Sequence, residues 1–263
     1  MTRLSLLLAA PLAACTGAAT GGGVDAGAFD PGVVVGTPVV GPDFGCLQHP
    51  PQTIAVDPMS LAGTIEAITT TGPAPVDGVD LALFHAGTPD VIVRTTSNGS
   101  GAFTTGAFAS GGHPLHAYLK ATKPDYRTTF FYPPFPFTRD ATNLPLPMIG
   151  NALFDTVASS LGATQDDRHN GVLLVAVADC QGQPVAGATL SVIHGNAPVG
   201  HIHDLPSAPG TYLVFDVPDG KVRVSASYSG TQLPEHEVTV RAKDPECPTA
   251  RGTLTATAVI PPP

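Results

Sequence analysis

The sequence predicts an all-β protein built as two tandem antiparallel β-sandwiches, with a short helix between them and a disordered tether in front. Three observations carry this. The 263 residues include 29 Gly and 28 Pro but only 13% charged residues, a balance of many turns and few charges that suits sandwiches better than helical bundles. Short alternating apolar runs are separated by turn residues along most of the chain. The same phrase also occurs twice, as Pro75-Val76-Asp77-Gly78 before Val79–Leu83 and as Pro184-Val185-Ala186-Gly187 before Ala188–Val192, 109 residues apart. That offset persists from Gly101-Ala102-Phe103 to Gly210-Thr211-Tyr212, as expected of two copies of one unit. The divisions that follow are 1–14, 15–45, 46–150, 151–170 and 171–263.

Residues 1–14 carry one basic residue, Arg3, and a short apolar run from Leu4 to Leu12, the pattern of a signal-peptide core and too short to span a bilayer. The run ends in Leu12-Ala13-Ala14-Cys15, which resembles a bacterial lipobox. The resemblance implies cleavage before Cys15, lipidation of its thiol, and a membrane partner reached through the acyl chains alone. Thr16, rather than Asp, follows the cysteine, which in such lipoproteins implies sorting to the outer membrane. From Thr16 to Gly45 the chain is rich in Gly, Ala, Val and Pro and lacks Lys and Arg, so it reads as a flexible-to-extended tether.

In the first copy the predicted strands are Leu61–Ile68, Val79–Phe84, Val91–Thr95, the stretch after the Asn98-Gly99-Ser100-Gly101 turn, and Leu115–Ala121. Phe130 to Phe137 is an aromatic run interrupted by Pro133, Pro134 and Pro136, and proline bars it from a central strand. It either closes the first sandwich or presents a partner-binding patch through Phe135 and Phe137. Leu153, Phe154, Val157 and Leu161 fall at helical spacing, with Gly162 as C-cap, so residues 151–161 read as the connecting helix. The second copy opens with Val172–Asp179, apolar enough to be buried on both faces. Thr211–Val217, Lys221–Tyr228, Glu237–Ala242 and Thr253–Ile260 follow as strands.

The second copy, through Gly182–Leu190, Gly210–Tyr212, Asp219–Ala226 and Gly230, resembles the carboxypeptidase-regulatory-like, transthyretin-type β-sandwich; the first copy resembles it more loosely. The resemblance implies a non-catalytic, Ig-like module of the cell envelope and supplies no functional residues. Four cysteines are present. With Cys15 lipidated, Cys180–Cys247 is the preferred disulfide, and Cys46 with either of them is the rival pairing, because spacing does not fix connectivity.

Net charge is −9, one unit more negative without Arg3, and no basic stripe is present, which excludes nucleic acid as a partner. An envelope protein or extracellular polymer is the expected partner. His201-Ile202-His203 is the one arrangement with metal potential, because i and i+2 imidazoles share a strand face and could hold Zn, Cu or Fe. That triplet also resembles the ligands of intradiol dioxygenases, although Val199-Gly200 replaces the Arg-Pro expected before it. A metal-dependent binder or enzyme at His201 and His203 is therefore the alternative to a module without a cofactor. No nucleophile elbow, metalloprotease helix, phosphate loop or dinucleotide fingerprint occurs.

Overall fold

The computed structural model of the protein describes residues 41–48, 52–205, 208–246 and 252–261. The first lobe contains β1 (Met59–Ile68), β2 (Ala74–Pro75), β3 (Asp80–His85), β4 (Val91–Thr96), β5 (Ala102–Phe108), β6 (Ala117–Thr122), β7 (Thr129–Tyr132) and β8 (Ala141–Ile149). Helix α1 (Asn151–Ser160) leads into β9 (Asn170–Val177), β10 (Thr189–His194), β11 (Ala197–Pro198), β12 (His201–Asp204), β13 (Thr211–Pro218), β14 (Gly220–Tyr228), β15 (Thr231–Gln232), β16 (His236–Val240) and β17 (Leu254–Val259). The fold is all-β with a single connecting helix among the described residues. Pairing is antiparallel except where β8 joins β1 and where β17 joins β9 and β7.

The repeat seen in the sequence is a repeat of hydrogen bonds. In the first lobe Ile65 N–H donates to Gly101 O at 2.8 Å and Val76 N–H donates to Ile65 O at 3.0 Å. In the second, Val177 N–H donates to Gly210 O at 2.7 Å and Val185 N–H donates to Val177 O at 2.9 Å. Gly101 and Gly210 both take a φ of +74°, and a Cβ on Gly210 would stand 2.8 Å from Val185 N and 2.9 Å from Val177 O. Glycine is required at both places, by backbone conformation and by the close approach of another strand. Each lobe therefore repeats one plan: a three-stranded core sheet whose last strand lies parallel to its first (β5-β1-β8 and β13-β9-β17), faced by a second sheet that contains β3 or β10.

The lobes are not separate beads. One eight-stranded sheet runs through both in the order β12-β13-β9-β17-β7-β6-β3-β4. Its centre is β17, which pairs with β9 from Leu254↔Val172 to Val259↔Val177 and with β7 from Leu254↔Thr129 to Thr257↔Tyr132. The faces of this sheet are covered in three places. Leu81, Leu83 and Leu119 pack under the first lobe's other sheet. Leu173, Val175 and Val214 pack under β10, β14 and β16, together with Phe84, Tyr118, Phe130 and Tyr132 from the first lobe. Helix α1 covers the remaining face through Phe154 and Ala158, against Leu174, Phe215 and Leu254. The apolar run of β9 is thus buried on both faces, as its composition predicts.

One strand carries no signal in the sequence, and one expectation is overturned. Strand β8 contains Pro145 and Pro147, which argue against a strand, yet it forms because it is an edge pairing only with β1 and its unpaired side needs no N–H donors. The preferred Cys180–Cys247 bridge is overturned: Cys180 is bonded to Cys46, with Cα atoms 5.8 Å apart across a sequence separation of 134. A small knot around Asp179 holds the two segments together. Asp43 N–H donates to Asp179 Oδ2 at 3.1 Å, and Cys180 N–H donates to Asp43 O at 2.8 Å. Asp179 also accepts the N–H groups of Gln181 and Gln183, each at 2.9 Å. Cys247 lies outside the described residues, as do Cys15 and the tether as far as residue 40.

Candidate functional site

The histidine pair sits on β12, the outermost strand of the eight-stranded sheet. The register His201↔Phe215 and His203↔Leu213 puts both imidazoles on the face that α1 covers further in. His201 is exposed; His203 is half-buried and meets the Phe215 ring edge-on, centroids 5.6 Å apart at 84°, while Phe215 in turn packs against Phe154 at 5.7 Å. The shared face expected of the pair is present. Among the described residues, no group of three or more His, Cys, Asp or Glu side chains is placed to hold a metal ion. His194 belongs to β10 in the opposing sheet, so it does not join the pair.

The aromatic–proline run divides at Pro133. Phe130 and Tyr132 lie in β7 and are buried, and the strand stops before the first proline. Phe137 is 7% exposed, packs into the first lobe's core, and exchanges backbone hydrogen bonds of 3.0 and 2.8 Å with Leu115. It is a core residue, and the expectation of a docking side chain there is corrected. Phe135 is half-buried.

Polar side chains that carry no signal in the sequence meet where the lobes join. Lys120, 5% exposed, places Nζ 2.7 Å from Asp244 Oδ1 and 2.6 Å from Glu246 Oε2; Asp244 is 1% exposed and also accepts from Thr128 Oγ1 at 3.2 Å. Arg127 is 1% exposed, forms a bidentate pair with Asp167 at 2.9 and 2.8 Å, and lays its guanidinium 3.5 Å over the Phe154 ring. Asp167 thereby pins the helix and the following loop to the first lobe. Its neighbour Asp166 lies 2.7 Å from His169 Nδ1, and that hydrogen bond, with the Arg168 N–H, holds the Asp166 carboxyl below its ordinary pKa.

A third contact runs through both lobes. The Thr257 hydroxyl donates to Tyr132 O at 2.9 Å, so its oxygen accepts the hydrogen of His236 Nε2 at 2.7 Å. The imidazole is therefore the neutral Nε2–H tautomer, and burial depresses its pKa to about 4. Burial also raises the Tyr132 phenol, against opposing hydrogen bonds from Thr239 and Arg241. These groups are arranged to hold the two lobes in one register.

No family model matches the sequence, and no curated protein matches it. Among solved structures, the Bacillus anthracis TIE protein is similar over 77% of this chain at 8% identity and a TM-score of 0.26, and this chain spans 34% of its length. The minor pilin of Streptococcus agalactiae is similar over 78% of this chain and 97% of its own, at 14% identity and a TM-score of 0.25. A putative cell adhesion protein from Bacteroides ovatus is similar over 71% of this chain and 88% of its own, at 7% identity and a TM-score of 0.20.

Proposed function

We propose that the chain is a lipid-anchored module of the bacterial cell envelope, held at the outer membrane through Cys15. Its paired carboxypeptidase-regulatory-like sandwiches act as a non-catalytic binding and structural body toward another envelope protein or an extracellular polymer. The observation that carries this is the eight-stranded sheet common to both lobes. Such a sheet makes one stiff body from two repeats, which suits presenting a surface at a fixed distance from an anchor. The Cys46–Cys180 bridge supports the same reading, because it fastens to the second lobe the segment that follows the tether.

Mass spectrometry of the chain expressed from Met1 in a Gram-negative host tests the anchor. The expected product begins at Cys15 and carries a diacylglycerol, while Cys15→Ser leaves the membrane fraction. A product without acyl chains overturns the anchor. Metal content tests the other half: protein purified without tag or chelator should hold no stoichiometric Zn, Cu or Fe. Stoichiometric metal that is lost in His201→Ala/His203→Ala would replace the non-catalytic module with a metal-binding one.

A further inference from the structure

The strand directions of the shared sheet sort the loops of both lobes into two ends. Strands β9, β17 and β7 run parallel, so Val177, Val259 and Tyr132 lie at the same end as the Cys46–Cys180 knot. Strand β6 is antiparallel to β7 and therefore starts there; β3, antiparallel to β6, finishes there; β4, antiparallel to β3, starts there at Val91. The loop into β6 and the loop out of β7 hold between them the segment Gln52–Asp57, with Ala55 N–H donating to Gly112 O at 3.2 Å and Val56 N–H donating to Thr138 O at 2.8 Å.

Large apolar side chains are exposed at four described positions: Ile54 at 79%, Val56 at 53%, Ile202 at 42% and Val91 at 38%. Three of the four, Ile54, Val56 and Val91, lie at this one end. Residues 1–40 join the described chain at the same end, at Gly41. Exposed apolar side chains concentrated at one end of a fold suit a surface that is covered in use.

We infer that this end is a bilayer-seating surface, in which Ile54, Val56 and Val91 enter the headgroup region of the membrane that holds Cys15. The inference rests on the lipid anchor proposed above. The 26 residues from Cys15 to Gly41 reach at most about 90 Å. They therefore permit contact between this end and the membrane without enforcing it. The apolar trio supplies the reason for contact, since side chains of this kind gain by burial at the acyl boundary. The exposed charges around the trio, Asp57, Asp90 and Asp140 against Arg139, are net negative and set the lipid class. They disfavour an anionic surface and leave zwitterionic headgroups as the fitting partner.

The absence of Trp from the sequence gives a direct test. The chain from Cys15, with Cys247→Ser, is coupled at Cys15 to maleimide-bearing phosphatidylethanolamine in phosphatidylcholine–phosphatidylethanolamine vesicles. Ile54→Trp should emit further to the blue on these vesicles and be quenched at least about twofold by brominated phosphatidylcholine. Thr71→Trp, in an exposed turn at the opposite end, should show neither effect. Both positions are exposed, and unfolding curves matching the parent confirm that each variant is folded. Equal quenching at the two positions, or none at Ile54→Trp, overturns the seating. Because the lipid is attached chemically, that failure is separate from failure of the natural anchor, which the mass of the native product decides.

Discussion

At the scale of single residues, the most informative side chain is His236. Its pKa falls from an ordinary 6.5 to about 4 because burial disfavours the charged ring. The folded state therefore binds fewer protons than the unfolded chain between these values. Stability is full above about pH 6.5, declines as the pH falls toward 4, and changes no further from this group below that. The total at stake is at most about 3 kcal/mol. Urea unfolding at pH 7, 5.5 and 4.5 should show this decline, and His236→Gln, which keeps a donor for Thr257, should flatten it. An unchanged slope in the variant would assign the acid sensitivity elsewhere. Little of this was legible in the sequence. Lys120, Arg127, Asp167 and His236 are ordinary members of alternating runs or polar loops, and they find their partners only through tertiary contacts between 21 and 126 residues apart. The histidine pair on β12 shows the opposite limit. Its shared face follows from period two along a strand, whereas a third ligand would have to come from another element, which local spacing cannot name.

At the scale of elements, the repeat makes a matched comparison. Gly187 and Gly210 have nearly equal φ values, +75° and +74°, but a Cβ on Gly187 would meet nothing within 4 Å while one on Gly210 would meet the backbone of Val185 and Val177. Gly187→Ala should therefore cost about 1–2 kcal/mol, the penalty of the left-handed conformation alone. Gly210→Ala should cost clearly more, because β9, β13 and the turn before β10 would have to separate. Thermal melts of the two variants measure the difference, and equal costs would mean that the close approach relaxes freely. Elements with clean alternation and a glycine turn, such as β3, β5, β10 and β13, are readable in the sequence because local turn chemistry and the period of the strand agree. Strand β8 is not, since Pro145 and Pro147 are compatible with a strand only at an edge, and edges are a property of the assembled sheet. The disulfide has the same origin: Cys46 reaches Cys180 through the Asp43–Asp179 knot, a contact with no trace in cysteine spacing.

At the scale of the whole molecule, β17 completes the core sheet of the second sandwich and also pairs with β7 of the first. Unfolding in urea should therefore be one transition, coincident by tyrosine fluorescence and by far-ultraviolet circular dichroism. Removing residues 252–261 should abolish the cooperative transition of both lobes rather than of the second alone. Two separate transitions in the parent, or a first lobe that still melts cooperatively after the deletion, would show that the lobes are independent despite their common sheet.

The position of β17 also sets an order of events. It is the last of the described strands in sequence and a middle strand in space. As the polypeptide emerges amino end first, β7 and β9 are made long before the segment that bridges them. Until Leu254–Val259 arrives, each presents an open row of backbone donors and acceptors, the kind of edge that recruits other chains. Closure of the shared sheet thus waits for residues 254–259, and a chain cut short before residue 254 is left with both edges open.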